Sequence, residues 1–330
     1  MMRFLTKEIG LNNESTNWSA LAGARFILSL VVLFSHLAMV SRSFVTDFFE
    51  QFNAFAAVIA FLLISGYSIH HSILRERSQY FQRRFWRIYP IYLISLLLAI
   101  VLYFNTQPSI AVDPWFLRTV TNQSLLSHFV FGQSFWTQSM PNFSPSWSLG
   151  VEVLLYALAP LFLRCNNRVL ILIAIVSASL YFLNPLGIYY HDHPHPIIAA
   201  SLAWAWLLGW IAATEKSRAF GILLFSLPVL CLCVHVASPG NLGFVTTLAT
   251  TLLLLLSYRV TFSPRVKKTM NFLGDCSYPL YLVHWPILWA CWLRGINSQW
   301  TCLVLVALVT IWLTFADKAL KHSAIIKRGV

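Results

Sequence analysis

Long apolar runs alternate with short polar segments along almost the whole chain. Ten of these runs have about the length that a helix needs to cross the hydrocarbon core of a bilayer, roughly 20 residues. Their spacing predicts an all-α integral membrane protein of about ten transmembrane helices, since helices satisfy their own backbone hydrogen bonds in lipid. The predicted spans are 20–40, 52–71, 88–104, 147–163, 169–183, 197–213, 220–236, 242–258, 272–292 and 299–316.

Composition supports this fold class. Of the 330 residues, 58% are hydrophobic and only 10% are charged, whereas a soluble domain carries about 25% charged residues. So few charged side chains do not cover a water-facing surface, and the bilayer must be the solvent for most of the chain. We predict a single membrane domain over residues 1–330, with a cytoplasmic segment over 1–19, a long outer connection over 105–146 and a cytoplasmic tail over 317–330.

The net charge of +12 follows the predicted topology and does not indicate a nucleic-acid partner. Nineteen of the 23 Lys and Arg residues fall on one side of the ten spans, three fall on the other side, and Arg25 lies within the first span. Positive residues collect in the cytoplasmic loops of membrane proteins, so both termini are predicted to be cytoplasmic. The protein's surroundings are then membrane lipid, and anionic headgroups are expected beside the basic loops.

Two outer segments carry further patterns. The connection 105–146 contains an amphipathic stretch from Trp115 to Phe131, which predicts a helix lying in the membrane interface. This helix either shapes a site on the outer face or simply covers the bundle. The histidines in 189–196 alternate with prolines and form no ligand face, and we predict no metal site.

Arg25, His36, Glu152 and His284 fall inside predicted spans, and Asp275 lies near the inner end of the ninth span. Charged groups at this depth are costly and mark function by default. Arg25 and His36 are eleven residues apart, so they share one helix face about 16 Å apart. His36 and Glu152 lie at similar depth, roughly 6 and 8 Å below the outer boundary. The pair predicts a general base oriented by a carboxylate, a proton relay in a transporter, or a structural tether between helices.

Five arginines lie between Arg75 and Arg87, just before the third span. Arg83, Arg84 and Arg87 are nearest the bilayer, and guanidinium groups bind phosphate and pyrophosphate well. Ordinary positive-inside topology and contact with anionic lipid are the alternative explanation of this cluster.

Four segments in order resemble the acyltransferase 3 family of membrane acyltransferases. The first is residues 21–26, where Arg25 is followed eleven residues later by His36. The second is residues 61–67 together with 83–90. The third is residues 147–152, which read Trp-Ser-Leu-x-x-Glu, and the fourth is residues 273–286. The last segment includes Tyr281, His284 and Trp285. Ala22 stands where the family often has an acidic residue.

The resemblance implies a bacterial inner-membrane enzyme that moves an acyl group, commonly acetyl from acetyl-CoA, to a hydroxyl of an extracytoplasmic polysaccharide or glycolipid. The implied catalytic residues are His36, Glu152 and Arg25, and the implied donor-binding residues are Arg83, Arg84 and Arg87. The substrate cavity is expected to include Ser65, Trp147, Tyr281, His284 and Trp285. Acyl-CoA is then a substrate, and no permanently bound cofactor is expected. A proton-coupled transporter or flippase that uses His36 and Glu152 as a relay is the alternative function.

Overall fold

The computed structural model describes residues 16–110, 114–183, 197–215, 218–235, 242–256 and 260–326. These residues are nearly all helical, and no strand is found among them. The histidines 191, 193 and 195 lie outside the described residues. The α-helices are α1 Trp18–Val40, α2 Phe44–Glu50, α3 Ala54–Arg75, α4 Tyr80–Asn105, α5 Asn122–Phe129, α6 Trp147–Phe162, α7 Asn167–Leu183, α8 Ile197–Ala212, α9 Arg218–His235, α10 Gly243–Leu256, α11 Pro264–Leu293 and α12 Gln299–Ile326.

A helix covers most of each of the ten predicted spans, which confirms the all-α class. Within the described ranges, five helical segments are long and apolar enough to cross a membrane: Trp18–Val40, Ala54–Arg75, Tyr80–Asn105, Pro141–Phe162 and Gln299–Lys321. Four shorter apolar helices lie within α7, α8, α9 and α10. The full count of ten crossings and the cytoplasmic position of both termini stay predictions.

Among the described helices, α1 and α11 form the most extensive pair. Their close approach depends on small side chains, because a Cβ added at Gly274 would overlap the side chain and backbone of Ala22. An acidic side chain in place of Ala22 would not fit this contact without separating the helices. The pair matters for the site since α1 carries Arg25 and His36, while α11 carries Tyr281 and the segment that follows it.

Helices α3 and α8 cross with their backbones in direct contact. A Cβ on Gly66 would overlap the carbonyl oxygen of Trp206, and a Cβ on Gly209 would overlap the carbonyl oxygen of Leu63. Small residues allow such close packing in membrane proteins, where van der Waals contact is a main source of helix association. This crossing fixes α3, which forms one wall of the cavity described below.

The connection 105–146, which is predicted to be outer, is folded in its described residues. It contains the 3-10 turn Pro114–Leu117, the short helix α5 and a second 3-10 turn, Pro141–Ser146. Inside the stretch predicted to form one interfacial helix, the chain therefore forms a 3-10 turn and then α5, separated by residues 118–121. The turn Pro141–Ser146 leads directly into α6 and so sets where that helix begins.

Buried hydrogen bonds fasten the outer connection to α4. The hydroxyl of Tyr92 donates to the carbonyl oxygen of His128 at 2.8 Å, and the amide of Gln133 donates both to Tyr92 and to the carbonyl of Ser146, each at 3.1 Å. The imidazole of His128 is itself buried: Nδ1 lies 2.7 Å from the carbonyl of Ser124, and Nε2 accepts from the backbone N–H of Met140 at 3.3 Å. The start of α6 is thus held by a polar network rather than by a loose loop.

Candidate active site

A cavity of about 570 Å³ opens among α1, α3, α4, α6, α11 and α12. Its walls combine apolar side chains with an unusual number of charged groups for a membrane domain. The positively charged residues that line it are Arg25, Arg83, Arg84, Arg87 and Lys321, and the acidic ones are Glu152, Asp275 and Asp317. All three arginines predicted to bind a donor therefore face one space together with Arg25 and Glu152.

Arg83 is occupied by contacts within the protein. Its guanidinium donates to the carboxylate of Glu76 at 2.7 Å, to the carbonyl of Glu76 at 2.6 Å and to the carbonyl of Ser72 at 3.0 Å. These acceptors lie at the end of α3, where helical carbonyl groups lack intrahelical partners. Arg83 therefore caps a helix and retains few donors for a ligand.

Arg84 and Arg87 are less engaged. One terminal nitrogen of Arg84 donates to the hydroxyl of Ser72, whereas its Nε is buried and finds no hydrogen-bond acceptor in the described part of the chain. Within the same described ranges, no hydrogen bond or ion pair engages the side chain of Arg87 or that of Arg25. Guanidinium groups that line a cavity with unsatisfied N–H donors favour an anionic ligand.

Glu152 lies in this cavity and accepts a hydrogen bond from the hydroxyl of Tyr156, one turn later on α6. The Tyr156 oxygen lies 2.9 Å from the hydroxyl of Ser65, which must donate because the phenolic proton is already directed at Glu152. Ser65 thus reaches the carboxylate through Tyr156. Sequence reasoning missed Tyr156, although its spacing of four residues from Glu152 places both on one helix face.

His36 lies against His284, across the contact between α1 and α11. Nδ1 of His36 is 3.0 Å from Nε2 of His284, and the two rings lie 5.1 Å apart. Trp285 also flanks His36, with ring centroids 5.1 Å apart, and its indole N–H donates to the carbonyl of Pro141 at 2.7 Å. The sequence led us to expect Glu152 beside this imidazole nitrogen, but the group in that place is His284. Similar depth in the membrane does not specify lateral position, so depth alone could not distinguish the two partners.

Tyr281 stands between the cavity and the two histidines. Its hydroxyl is held by the Ser148 hydroxyl at 2.7 Å and the Pro145 carbonyl at 3.0 Å, and its ring lies 6.0 Å from that of His284. Tyr281 and Ser148 line the cavity, whereas His36 and His284 do not.

The residues expected to form a substrate cavity are therefore divided. Ser65 and Tyr281 line the cavity. Trp147 does not, and its ring stacks on Phe55 of α3 with centroids 6.4 Å apart. His284 and Trp285 are both buried around His36. The structure thus forms two adjoining centres, a charged cavity and a histidine pair, separated by the side chain of Tyr281.

Comparison with known proteins gives a family for this architecture. The family described as an acyltransferase domain matches residues 18–316. The peptidoglycan O-acetyltransferase OatA of Listeria monocytogenes is 23% identical in an alignment of 286 residues, and the match covers 72% of this chain and 45% of that protein. The chain thus corresponds to less than half the length of this relative. No solved structure matches the chain significantly.

Proposed function

The chain belongs to the acyltransferase 3 family, and on that premise we propose that it is a membrane O-acyltransferase. Its donor is an acyl-CoA, with acetyl-CoA as the first choice, bound from the cytoplasm. Its acceptor is a hydroxyl of an extracytoplasmic polysaccharide or glycolipid. The name of the bacterial relative, a peptidoglycan O-acetyltransferase, supports both the acetyl group and a glycan acceptor. The location proposed with this activity is the cytoplasmic membrane of a bacterium.

The observation that carries the proposal is the charged cavity. Coenzyme A carries a pyrophosphate and a ribose phosphate, and such groups bind best to arginine. Arg87 and the Nε of Arg84 offer donors without acceptors among the described residues, and both line the cavity on the side where α4 begins. That end of α4 is cytoplasmic in the predicted topology, so the phosphates would lie near water while the pantetheine arm extends toward Glu152.

The acyl group would travel from the cavity to the histidine pair. Ser148 and Tyr281 line the cavity, and the ring of Tyr281 lies 6.0 Å from that of His284. Rotation of the Tyr281 side chain away from Ser148 and the Pro145 carbonyl would join the two centres. Both hydrogen bonds of the Tyr281 hydroxyl would have to open for this movement.

The chemistry assigned to His36 is general base catalysis. Its imidazole takes the proton of the acceptor hydroxyl while the alkoxide oxygen forms a bond to the thioester carbonyl carbon. The carbon–sulfur bond then breaks, the coenzyme leaves as a thiolate, and the proton held by His36 returns to the sulfur. The products are the O-acyl glycan and the free thiol, so no further reactant is needed. Arg25 and Glu152 contribute charge along the donor path.

Purified protein in lipid nanodiscs, supplied with radiolabelled acetyl-CoA and soluble peptidoglycan strands or other bacterial glycans, tests this function. We expect free thiol and label in the glycan to appear together. We expect His36→Ala and Glu152→Ala to lower the rate at least 100-fold, whereas His71→Ala, on α3 outside the cavity, retains it. Normal transfer by both site variants would overturn the mechanism. Proton-coupled movement of a glycan across proteoliposomes without thiol release would favour a transporter.

A further inference from the structure

We propose that His284 is the positioning residue for His36: it fixes which nitrogen of the His36 ring carries the proton, so that Nε2 is the base. This inference rests on the proposed function, because it assigns a role within the same reaction. The observation that carries it is the chain of contacts from the carbonyl of Leu280 through His284 to His36.

This chain of contacts begins at a carbonyl oxygen, which accepts hydrogen bonds and does not donate them. The carbonyl oxygen of Leu280 lies 3.1 Å from Nδ1 of His284, so this nitrogen must carry a proton for a bond to form. A neutral imidazole has one N–H only, and Nε2 of His284 therefore presents a lone pair. That lone pair lies 3.0 Å from Nδ1 of His36.

The lone pair on His284 in turn determines the tautomer of His36. Its Nδ1 faces a lone pair and must donate, so in the neutral ring the remaining lone pair is on Nε2. A free imidazole favours the opposite arrangement, with the proton on Nε2. His284 thus selects the less favoured tautomer and leaves Nε2 able to accept a proton from a substrate hydroxyl. In serine hydrolases a buried carboxylate performs this task, and here a second imidazole takes its place.

Neighbouring groups hold the two imidazole rings in a fixed relative position. His284 is fully buried on α11, and its hydrogen-bond partner Leu280 lies one turn earlier on the same helix. The orientation of the His284 ring therefore depends on local backbone geometry. Trp285 flanks His36 and is anchored by its indole bond to Pro141. The tight contact between Ala22 and Gly274 brings α1 and α11 close enough for the histidines to meet.

A neutral partner also changes what happens when His36 accepts a proton. The Nδ1–H bond to His284 persists and becomes charge-assisted, which stabilises the imidazolium. Unlike a carboxylate, however, His284 adds no negative charge to the site. His36 is therefore kept in one tautomer without being drawn toward the protonated form before the acceptor arrives.

The direct test reads the tautomer without measuring activity. Solid-state NMR of protein carrying ¹⁵N-labelled histidine, with the His36 signals identified by their loss in His36→Gln, reports which ring nitrogen is protonated. We expect protonated Nδ1 and unprotonated Nε2 in the wild-type protein. We expect the proton to move to Nε2 in His284→Leu. His36 protonated at Nε2 in the wild type, or unchanged in His284→Leu, would overturn the proposal.

The kinetic test separates positioning from folding. We expect His284→Leu to lower kcat about 100-fold with KM for acetyl-CoA within about twofold. His284→Gln supplies an amide oxygen for the His36 N–H, and its kcat is expected to be at least tenfold higher than that of His284→Leu.

Leu288→Ala is the control for folding, because it removes a buried side chain one turn further along α11. We expect a lower midpoint of unfolding with kcat within about threefold of the wild type. Equal loss in the Leu and Gln variants would contradict a positioning role. If the wild-type protein transferred no acyl group, the proposed function would fail, and the NMR result would still decide the tautomer.

Discussion

The hydroxyl of Tyr156 donates a hydrogen bond to the carboxylate of Glu152, and this pair forms part of the cavity wall. The Ser65 hydroxyl completes the chain from the neighbouring helix α3 at 2.9 Å. The carboxylate therefore has a fixed orientation toward the space that the donor would occupy. It also retains acceptor capacity, since an ionised carboxylate accepts up to about four hydrogen bonds.

Tyr156→Phe is expected to impair acyl transfer while preserving the fold. A hydrogen bond to a charged group contributes about 1.5–3 kcal/mol, so loss of the Tyr156 donor is expected to lower kcat/KM roughly 10–100-fold. Steady-state kinetics in nanodiscs measures this. Ser65→Ala removes the outer member of the chain and is expected to have a smaller effect. A larger loss in Ser65→Ala than in Tyr156→Phe would contradict this order.

Substitution of Arg87 is expected to affect donor binding, whereas substitution of Arg83 is expected to affect stability. Arg87→Ala removes donors that face the cavity and is expected to weaken acetyl-CoA binding about tenfold or more, with the unfolding midpoint unchanged. Arg83→Ala removes three hydrogen bonds at the end of α3 and is expected to lower that midpoint, with a smaller effect on binding. Isothermal titration and thermal unfolding in detergent measure the two effects. Arg77→Ala is the control, because Arg77 lies on the same predicted cytoplasmic side of the membrane but does not line the cavity. Similar binding defects in the Arg83 and Arg87 variants would refute this division.

Gly209→Ala is expected to destabilise the protein strongly. The new Cβ would overlap the backbone carbonyl of Leu63, and a backbone atom cannot move aside as a flexible side chain can. Separation of α3 and α8 is therefore expected to cost about 3 kcal/mol or more, the upper end of the usual range for overpacking. The midpoint of thermal unfolding measures the effect. Gly221→Ala on α9 is the matched control, because a Cβ there meets open space and is expected to be neutral or mildly stabilising.

His128 is expected to make the outer connection sensitive to acid. Burial lowers the pKa of His128 to about 4, and its Nε2 must stay unprotonated to accept from the Met140 N–H. Above pH 6.5 the residue is neutral in both the folded and unfolded states, and stability does not depend on it. Between about pH 6.5 and 4 only the unfolded chain gains a proton. The free energy of unfolding therefore decreases as the pH is lowered, by roughly 3 kcal/mol at pH 4.

Thermal unfolding of the wild type and His128→Gln across pH 7.5 to 4.5 measures this dependence. The variant is expected to be less stable at neutral pH, because it loses the two hydrogen bonds of the imidazole. Its disadvantage is expected to shrink as the pH falls, since it carries no imidazole to titrate. A constant difference across the range would show that His128 does not couple folding to pH.

The helical class and the approximate helix positions could be read from the sequence. In a bilayer each apolar run must satisfy its own backbone hydrogen bonds, so run length and periodicity predict helices locally. Short elements are harder to predict. The helix α2 was missed because seven residues carry too few periods, although Ser43 and Thr46 form a capping box at its start.

The sequence also identified most of the ionisable residues that lie around the two centres, although it missed Asp317 and Lys321 of the cavity wall. Arg25, Glu152, Arg83, Arg84 and Arg87 do share one cavity. Spacing along one helix specifies a face and a depth, and these depend only on helical geometry.

Only the tertiary structure decided which groups meet across helices. It placed His284 beside His36, joined Ser65 to Tyr156, assigned Arg83 to the end of α3 and set Tyr281 between the two centres. These contacts depend on how close α1 comes to α11 and α3 to α8, which small residues such as Gly274 and Gly209 allow. Lateral packing of that kind is set by side-chain shape across residues far apart in the chain, and no spacing within a single helix records it.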